Sequence, residues 1–271
     1  MIGSRTLPDL ARAEALIADR GIALGKPLHL LAETTSTNDE AKRGAKAGQP
    51  HGATWVAESQ TAGRGRQGRA WVSPRGENLL FSVLLRVTCP PARLPPLALV
   101  AGLAVRDAIA RAAPERDVRI KWPNDVVVEK KKVAGVLVEA IVQGSRVEAV
   151  IVGIGINVHT RELPEDLAPR ATSVALLAKA PPDRGEVLAD VLAGLDRDCE
   201  LVAARGLGLV HARLARADAL RGEGVISDAG GGTAEGIDVD GRLLVRNAEG
   251  ILTRWGAGEV HLAAVATAPR R

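Results

Sequence analysis

Residues 8–20 read as a short helix: Leu10, Leu16 and Ile17 are its apolar positions, Pro8 falls near the first turn and Gly21 supplies a stop. An extended segment starts at residues 28–31. Thr37-Asn38-Asp39-Glu40 then has the T-x-x-E form of a capping box, predicting a helix that ends near Gly48. Residues 53–58 and 78–87 are apolar and β-leaning. Residues 97–112 form an Ala-rich helix started by Pro95-Pro96. Four extended runs follow, at 118–121, 126–128, 133–142 and 147–158, the last two joined by a turn at Gln143-Gly144-Ser145. Short connections of this kind predict hairpins and a mixed, largely antiparallel sheet. Residues 186–204 and 209–217 return to helical spacing.

Beyond Gly222 the pattern changes to short strands at 225–226, 233–239, 242–246, 251–255 and 260–262. Asp240-Gly241 and Glu249-Gly250 mark hairpin turns, and Gly230-Gly231-Gly232 a further turn. Five strands in about forty residues describe a small β-barrel that needs a larger domain to dock on. The expected organisation is α+β: a main domain over 1–218, of which 1–27 form a helical extension, and a C-terminal barrel with its tail over 219–271.

Composition narrows the class. With 46% hydrophobic and 25% charged residues the 271-residue chain is ordinary globular protein. Four Trp, one Phe and no Tyr leave the core to Val, Leu, Ile and Ala. Cys89 and Cys199 show no pairing pattern and the first twenty residues no apolar signal region, so a cytoplasmic protein is expected. The longest apolar run, 94–105, is too short and too proline-broken for a bilayer. The five His residues lack ligand spacing, so no metal cage of protein ligands is expected. A net charge of +4 is compatible with nucleic acid and equally with nucleotide phosphates.

Residues 63–69 read GRGRQGR, and four readings compete. Gly63, Gly65 and Gly68 satisfy G-x-G-x-x-G, but the RAWVSPRGENLL that follows is not helical, as a dinucleotide fingerprint requires, and no acid lies between Glu77 and Asp107. Arginine-glycine segments that bind nucleic acid are longer, repeated and interleaved with aromatics. An anion-binding loop fits better: glycines let backbone N–H groups approach a ligand, and the guanidinium forks of Arg64, Arg66 and Arg69 suit phosphate and carboxylate. A solvated surface loop with chance charges competes with it. A second string, KWPND at 121–125, ends a strand in which Val118, Ile120 and Trp122 face one way and Arg119 and Lys121 the other. Pro123-Asn124-Asp125 suits a turn, so a purely structural reading is open here too.

Taken together, STNDEAK (36–42), ESQTAGRGRQGRAW (58–71), IKWPND (120–125), KVAGVLVE (132–139), VGIGINV (152–158), ATS (171–173) and GAGEV (256–260) resemble the biotin protein ligase family over roughly residues 28–262. The order and spacing of two rare strings make the resemblance specific. It implies a class II synthetase-like catalytic domain with an SH3-like C-terminal barrel. It also implies activation of biotin by ATP to biotinyl-5'-AMP, with Mg²⁺, and transfer to a lysine of a biotin carboxyl carrier protein domain. Ser36, Thr37 and Asn38 match the segment at the ring end of the biotin pocket, and Gln60 a polar contact to biotin. Arg64, Gly65 and Arg66 match the loop over biotin and the adenylate, with Arg69 and Trp71 on its nucleotide side. Lys121 resembles the catalytic lysine between carboxylate and α-phosphate. Asp125 resembles the acid that orients the incoming lysine, Lys132 a further anion ligand and Asn157 an adenine contact.

The chemistry asks for such residues. A carboxylate attacking an α-phosphate brings two anions together, and positioned cations relieve the repulsion. The mixed anhydride formed is easily hydrolysed, which calls for a loop that excludes water and is ordered by ligand. Two other readings share part of the pattern. A lipoate or octanoate ligase of the same superfamily would carry Arg-Arg and Gly-Gly-Gly signatures absent here. A biotin-responsive repressor needs a helix-turn-helix, and about 27 residues with one helix precede the matching region. The expected partner is therefore an acceptor protein, with no DNA and no membrane, for a monomer or weak homodimer.

Overall fold

The computed structural model describes residues 8–87, 89–143, 146–180, 182–256 and 258–263. Its helices are α1 (Pro8–Ala11), α2 (Ala13–Asp19), α3 (Thr37–Lys46), α4 (Leu94–Ala112), α5 (Val174–Leu177), α6 (Arg184–Arg205) and α7 (His211–Ala217). The strands of the main sheet are β1 (Leu28–Leu31), β2 (Thr54–Ala57), β3 (Leu79–Leu85), β4 (Val118–Lys121), β5 (Asp125–Val128), β6 (Lys131–Gln143) and β7 (Arg146–Ile156), in the order β1-β2-β3-β7-β6-β5-β4. β1 and β2 run parallel and every other pairing is antiparallel, the mixed sheet that the short connections predict. The turn expected at 143–145 lies in part outside the described residues, as do residues 1–7 of the expected extension.

The two faces of the sheet have different tasks. Leu79, Phe81, Val83 and Leu85 of β3 are buried in the large core shared with α4 and α6. The alternate residues turn to the other face, where α3 packs Ala41 and Ala45 over Trp55, Leu84 and Ile151. Pro95 and Pro96 sit in the first turn of α4, where a missing N–H costs nothing. Arg184, only 1% exposed at the start of α6, donates to Asp9, to Glu58 and to the carbonyl of Asn78, joining α1 and β2 to the core.

β8 (Gly224–Ser227), β9 (Gly230–Ile237), β10 (Leu243–Arg246), β11 (Leu252–Trp255) and β12 (His261–Leu262) form one antiparallel sheet in the order β11-β10-β9-β8-β12. Among the described residues β11 and β12 do not pair, so the strands expected of a barrel are present as an open sheet. Val225, Ala234, Leu243, Val245 and Trp255 join the same core as the main sheet. The indole N–H of Trp122 donates to the carbonyl of Gly241 at 2.9 Å, and Ala219 N–H to Ile120 O at 2.8 Å. These bonds fasten the C-terminal sheet to the strand that ends in Lys121.

Three local expectations need correction. The segment 8–20 is two short helices that part at Arg12. The capping box does not form: Ser36 is the N-cap of α3 without a side-chain cap, the Thr37 hydroxyl turns to Ser82 and Gln60, and Glu40 accepts from Thr34. The polar groups of this turn are taken up by tertiary partners. Gly230 to Gly232 begin β9 instead of turning, because the turn sits earlier, where Ala229 N–H donates to Ser227 Oγ.

Candidate active site

On the α3 face of the main sheet lies a cavity of about 450 Å³. β6 and β7 make its floor, the N-terminus of α3 one end, and the β4–β5 turn the other. The glycine-arginine loop covers it, and Glu259 and His261 of the C-terminal segment reach its rim. Two glycines make the floor possible. A Cβ on Gly153 would lie 2.1 Å from Asn38 Oδ1, and one on Gly155 would lie 2.6 Å from the Trp71 ring. Only a residue without a side chain lets the Asn38 amide and the Trp71 indole lie this close to β7.

The end beneath α3 is neutral and polar. Thr37, Asn38 and Ser36 are buried there, and Gln60 Oε1 accepts the backbone N–H of Thr37 at 2.7 Å. Asn38 reaches down to Glu139 of β6 and Ser82 of β3.

The opposite end is cationic. Lys121 ends β4 with its side chain on the cavity face, and no hydrogen-bond partner engages its ammonium among the described residues. Its register partner across the β4–β5 hairpin is Asp125, whose Oδ1 accepts from Lys132 Nζ at 2.7 Å. Lys132 also stands 5.4 Å from the centroid of the Trp71 ring, a cation–π contact. Of the three consecutive lysines, Lys130 stands at the cavity rim and pairs with Glu223.

The loop is held at three points. Arg64 makes a two-point contact with Asp39 of α3 at 2.8 and 2.5 Å, and this hydrogen-bonded pair holds the Asp39 carboxyl below its ordinary pKa. Arg69 donates to Glu259 at 2.5 Å. Among the described residues Arg66 has no carboxylate in ion-pair contact, only Asn124 Oδ1 at 3.2 Å, and burial draws its pKa below the usual arginine value. It stays protonated all the same, a partly desolvated cation aimed at the cavity. Ion pairs as exposed as Arg64–Asp39 and Arg69–Glu259 contribute about 0–1 kcal/mol each, so the loop can be released at small cost.

The structure thus brings together Ser36, Thr37, Asn38, Gln60, Arg64, Gly65, Arg66, Arg69, Trp71, Lys121, Asp125 and Lys132, all expected from the sequence. Asn157 does not line the cavity. It follows β7, and its amide donates to the Thr172 carbonyl at 3.0 Å. Sequence reasoning assigned no role to Ser82, Asn124, Gly153, Gly155, Glu139 or Glu259. All but Ser82 stand inside strings already singled out, and the one signal for Ser82 is a lone hydroxyl in the apolar run of β3.

Residues 30–157 match the model of the Biotin/lipoate A/B protein ligase family. The chain is 37% identical over 233 residues to the biotin--[acetyl-CoA-carboxylase] ligase of Paracoccus denitrificans, covering 82% of this chain and 95% of that protein. It is 39% identical over 160 residues to the bifunctional ligase/repressor BirA of Bacillus subtilis, covering 58% of this chain but only 49% of that protein. The chain thus spans about half the length of this longer relative. Among solved structures, biotin protein ligase from Aquifex aeolicus in complex with biotin and ATP superposes with a TM-score of 0.73 at 33% identity, over 87% of this chain and 99% of that one.

Proposed function

The chain belongs to the biotin/lipoate A/B protein ligase family, and from that membership we propose that it activates biotin with ATP to biotinyl-5'-AMP and passes the biotin to a lysine of a carrier protein domain. The observation that carries the reading is the polarity of one cavity: a neutral hydrogen-bonding end under α3 and a cationic end at Lys121, Lys132 and Arg66. Biotin has a ureido ring that needs donors and acceptors and a carboxylate that needs cations, about one valeryl chain apart. Lipoate carries the same carboxylate, but its dithiolane ring offers no N–H or carbonyl to the polar groups under α3, so it would cover their remaining hydrogen-bonding capacity without pairing it, at about 1–3 kcal/mol for each group left short.

In the first step the biotin carboxylate attacks the α-phosphorus and pyrophosphate leaves. Lys121 lies between the two anions and offsets the charge that builds on the phosphoryl oxygens, while Lys132 and Arg66 hold the carboxylate and phosphate in line. In the second step the lysine amine attacks the acyl carbon and AMP leaves. Asp125 has one oxygen on Lys132 and the other left to orient the amine. The cavity's carboxylates, Asp125 and Glu259, each accept from a cation, so Mg²⁺ would come with the nucleotide and be held by its phosphates. Two buried cysteines without a bridge, Cys89 and Cys199, accord with a reducing cytoplasm.

Incubated with ATP, Mg²⁺ and biotin, the full chain is expected to release pyrophosphate in a biotin-dependent burst, and lipoate in place of biotin to give none. Equal release with lipoate, or none with either, would contradict the proposal. Arg66→Gly should bind biotin yet leak biotinyl-adenylate into solution, because the loop arginine that has no carboxylate partner among the described residues is lost. Chromatography of the free adenylate checks this, and retention equal to the parent's would remove Arg66 from the lid.

A further inference from the structure

Beneath the N-terminus of α3, hydrogen bonds run from Lys42 through Glu139, Asn38 and Ser82 to Thr37 at the cavity wall. Lys42 Nζ lies 2.6 Å from Glu139 Oε1, and Asn38 Nδ2 lies 2.7 Å from Glu139 Oε2. Ser82 Oγ lies 2.6 Å from Asn38 Oδ1 and 2.7 Å from Thr37 Oγ1. Thr37 Oγ1 in turn lies 3.1 Å from Gln60 Oε1. Asn38, Thr37 and Ser82 are all buried.

Counting protons fixes the direction of every bond. A carboxylate salt-bridged to an ammonium only accepts, so the Asn38 atom facing Glu139 is its NH₂ and the one facing Ser82 is its oxygen. That oxygen only accepts, so the single proton of Ser82 is committed to it. Between the two hydroxyls Thr37 must then donate. The opposite arrangement, with Thr37 donating to Gln60 and Ser82 to Thr37, leaves the 2.6 Å Ser82–Asn38 contact without a proton. With Thr37 donating to Ser82, only the 3.1 Å contact is bare, and shorter unprotonated oxygen contacts are the more costly. Gln60 Oε1 is meanwhile fixed by the Thr37 backbone N–H.

We propose that Glu139 is a positioning residue that sets the polarity of this chain, so that Thr37 and Gln60 present two oxygen acceptors 3.1 Å apart to a ligand N–H. This rests on the reading of the cavity as a biotin site, whose ureido ring supplies such N–H groups. A single ring N–H placed between the two oxygens satisfies both. A carbonyl or ether at that point meets lone pairs only, which makes the chain a specificity device.

Glu139→Gln tests the idea at constant volume. Lys42 takes the new amide's oxygen, the amide NH₂ faces Asn38, and Asn38 must flip. Ser82 then donates to Thr37 and Thr37 to Gln60, so the acceptor pair disappears. Titration calorimetry on the full chain is expected to show biotin bound about ten- to a hundredfold more weakly by E139Q, with ATP affinity unchanged. The double variant K42M/E139Q frees the oxygen of the introduced amide to turn back toward Asn38, and should regain most of the biotin affinity. A salt bridge of purely structural value predicts no such rescue. The proposal is overturned if E139Q binds biotin like the parent, or if the double variant is as weak as the single one. Should E139Q melt far below the parent, Ser82→Ala severs the chain inside β3 and must weaken biotin alone, or the proposal fails. A parent chain that binds no biotin overturns the functional reading itself, and this inference with it.

Discussion

Replacing Lys121 by alanine is expected to lower biotin-dependent pyrophosphate release by about 10²–10³-fold while leaving the melting temperature close to the parent's. The asymmetry follows from where the side chain stands. Its Cα belongs to β4, whose neighbours Ile120 and Trp122 are buried and carry the packing, so alanine leaves the strand and the Trp122–Gly241 bond intact. Its ammonium takes part in no hydrogen bond among the described residues, so the fold loses nothing with it. On the proposed reaction, what should be lost is the charge that stabilises the phosphoryl oxygens as they become more negative, an interaction strengthened by the shielding of the cavity. Lys132→Ala should behave differently, since it also leaves Asp125 without its partner and so disturbs both half-reactions. Pre-steady-state pyrophosphate release with a parallel thermal melt separates the two. A parent-like rate in K121A would remove Lys121 from the chemistry, and a melt lowered as much as the rate would make its role structural.

The position of Lys121 also shows what the sequence could and could not convey. Alternation over 118–122 is enough to place Val118 and Ile120 in the core and Lys121 on the other face, because a strand has only two faces. The same local logic found β1 to β7 and the long helices. It failed where local and tertiary partners compete. Thr37 and Glu40 have the spacing of a capping box, but Ser82, Gln60 and Thr34 offer bonds from elsewhere in the chain, and these win. The loop could be read as an anion site from its arginines, yet not that two of them are occupied by Asp39 and Glu259 and only Arg66 stands free of a carboxylate. Those partners lie 25 and 190 residues away, distances at which spacing carries no signal. Glu139 carried no functional signal in the sequence for the same reason: the role proposed for it lies in four hydrogen bonds between residues far apart in the chain.

Arg184→Leu should be the most damaging substitution outside the cavity, costing about 3–5 kcal/mol, or a fall in melting temperature on the order of 10 °C. The guanidinium is 1% exposed and spreads over Glu58, 10% exposed, and Asp9. Leucine fills the volume but leaves a buried carboxylate uncompensated, which is worse than having no pair at all. The double variant R184L/E58L should therefore recover part of the loss, although each change alone destabilises. The pH dependence has a definite sign. Burial by itself raises the pKa of Asp9, but the hydrogen bonds and charge of Arg184 outweigh it and leave the carboxyl below its ordinary value. Its contribution is thus present above the unfolded pKa of about 3.9 and is lost as the pH falls through the lower folded value. In R184L burial is opposed only by the Leu10 N–H bond and the charge of His159, so the folded pKa of Asp9 rises above the parent's and the stabilisation gained on ionisation shrinks. The gap in melting temperature between parent and R184L should accordingly be widest near neutrality and narrow on acidification toward pH about 3. A gap that stays constant from neutral to acid would mean that the arginine contributes packing and not charge, and a parent-like melt would deny that Arg184 holds α1 and β2 to the core.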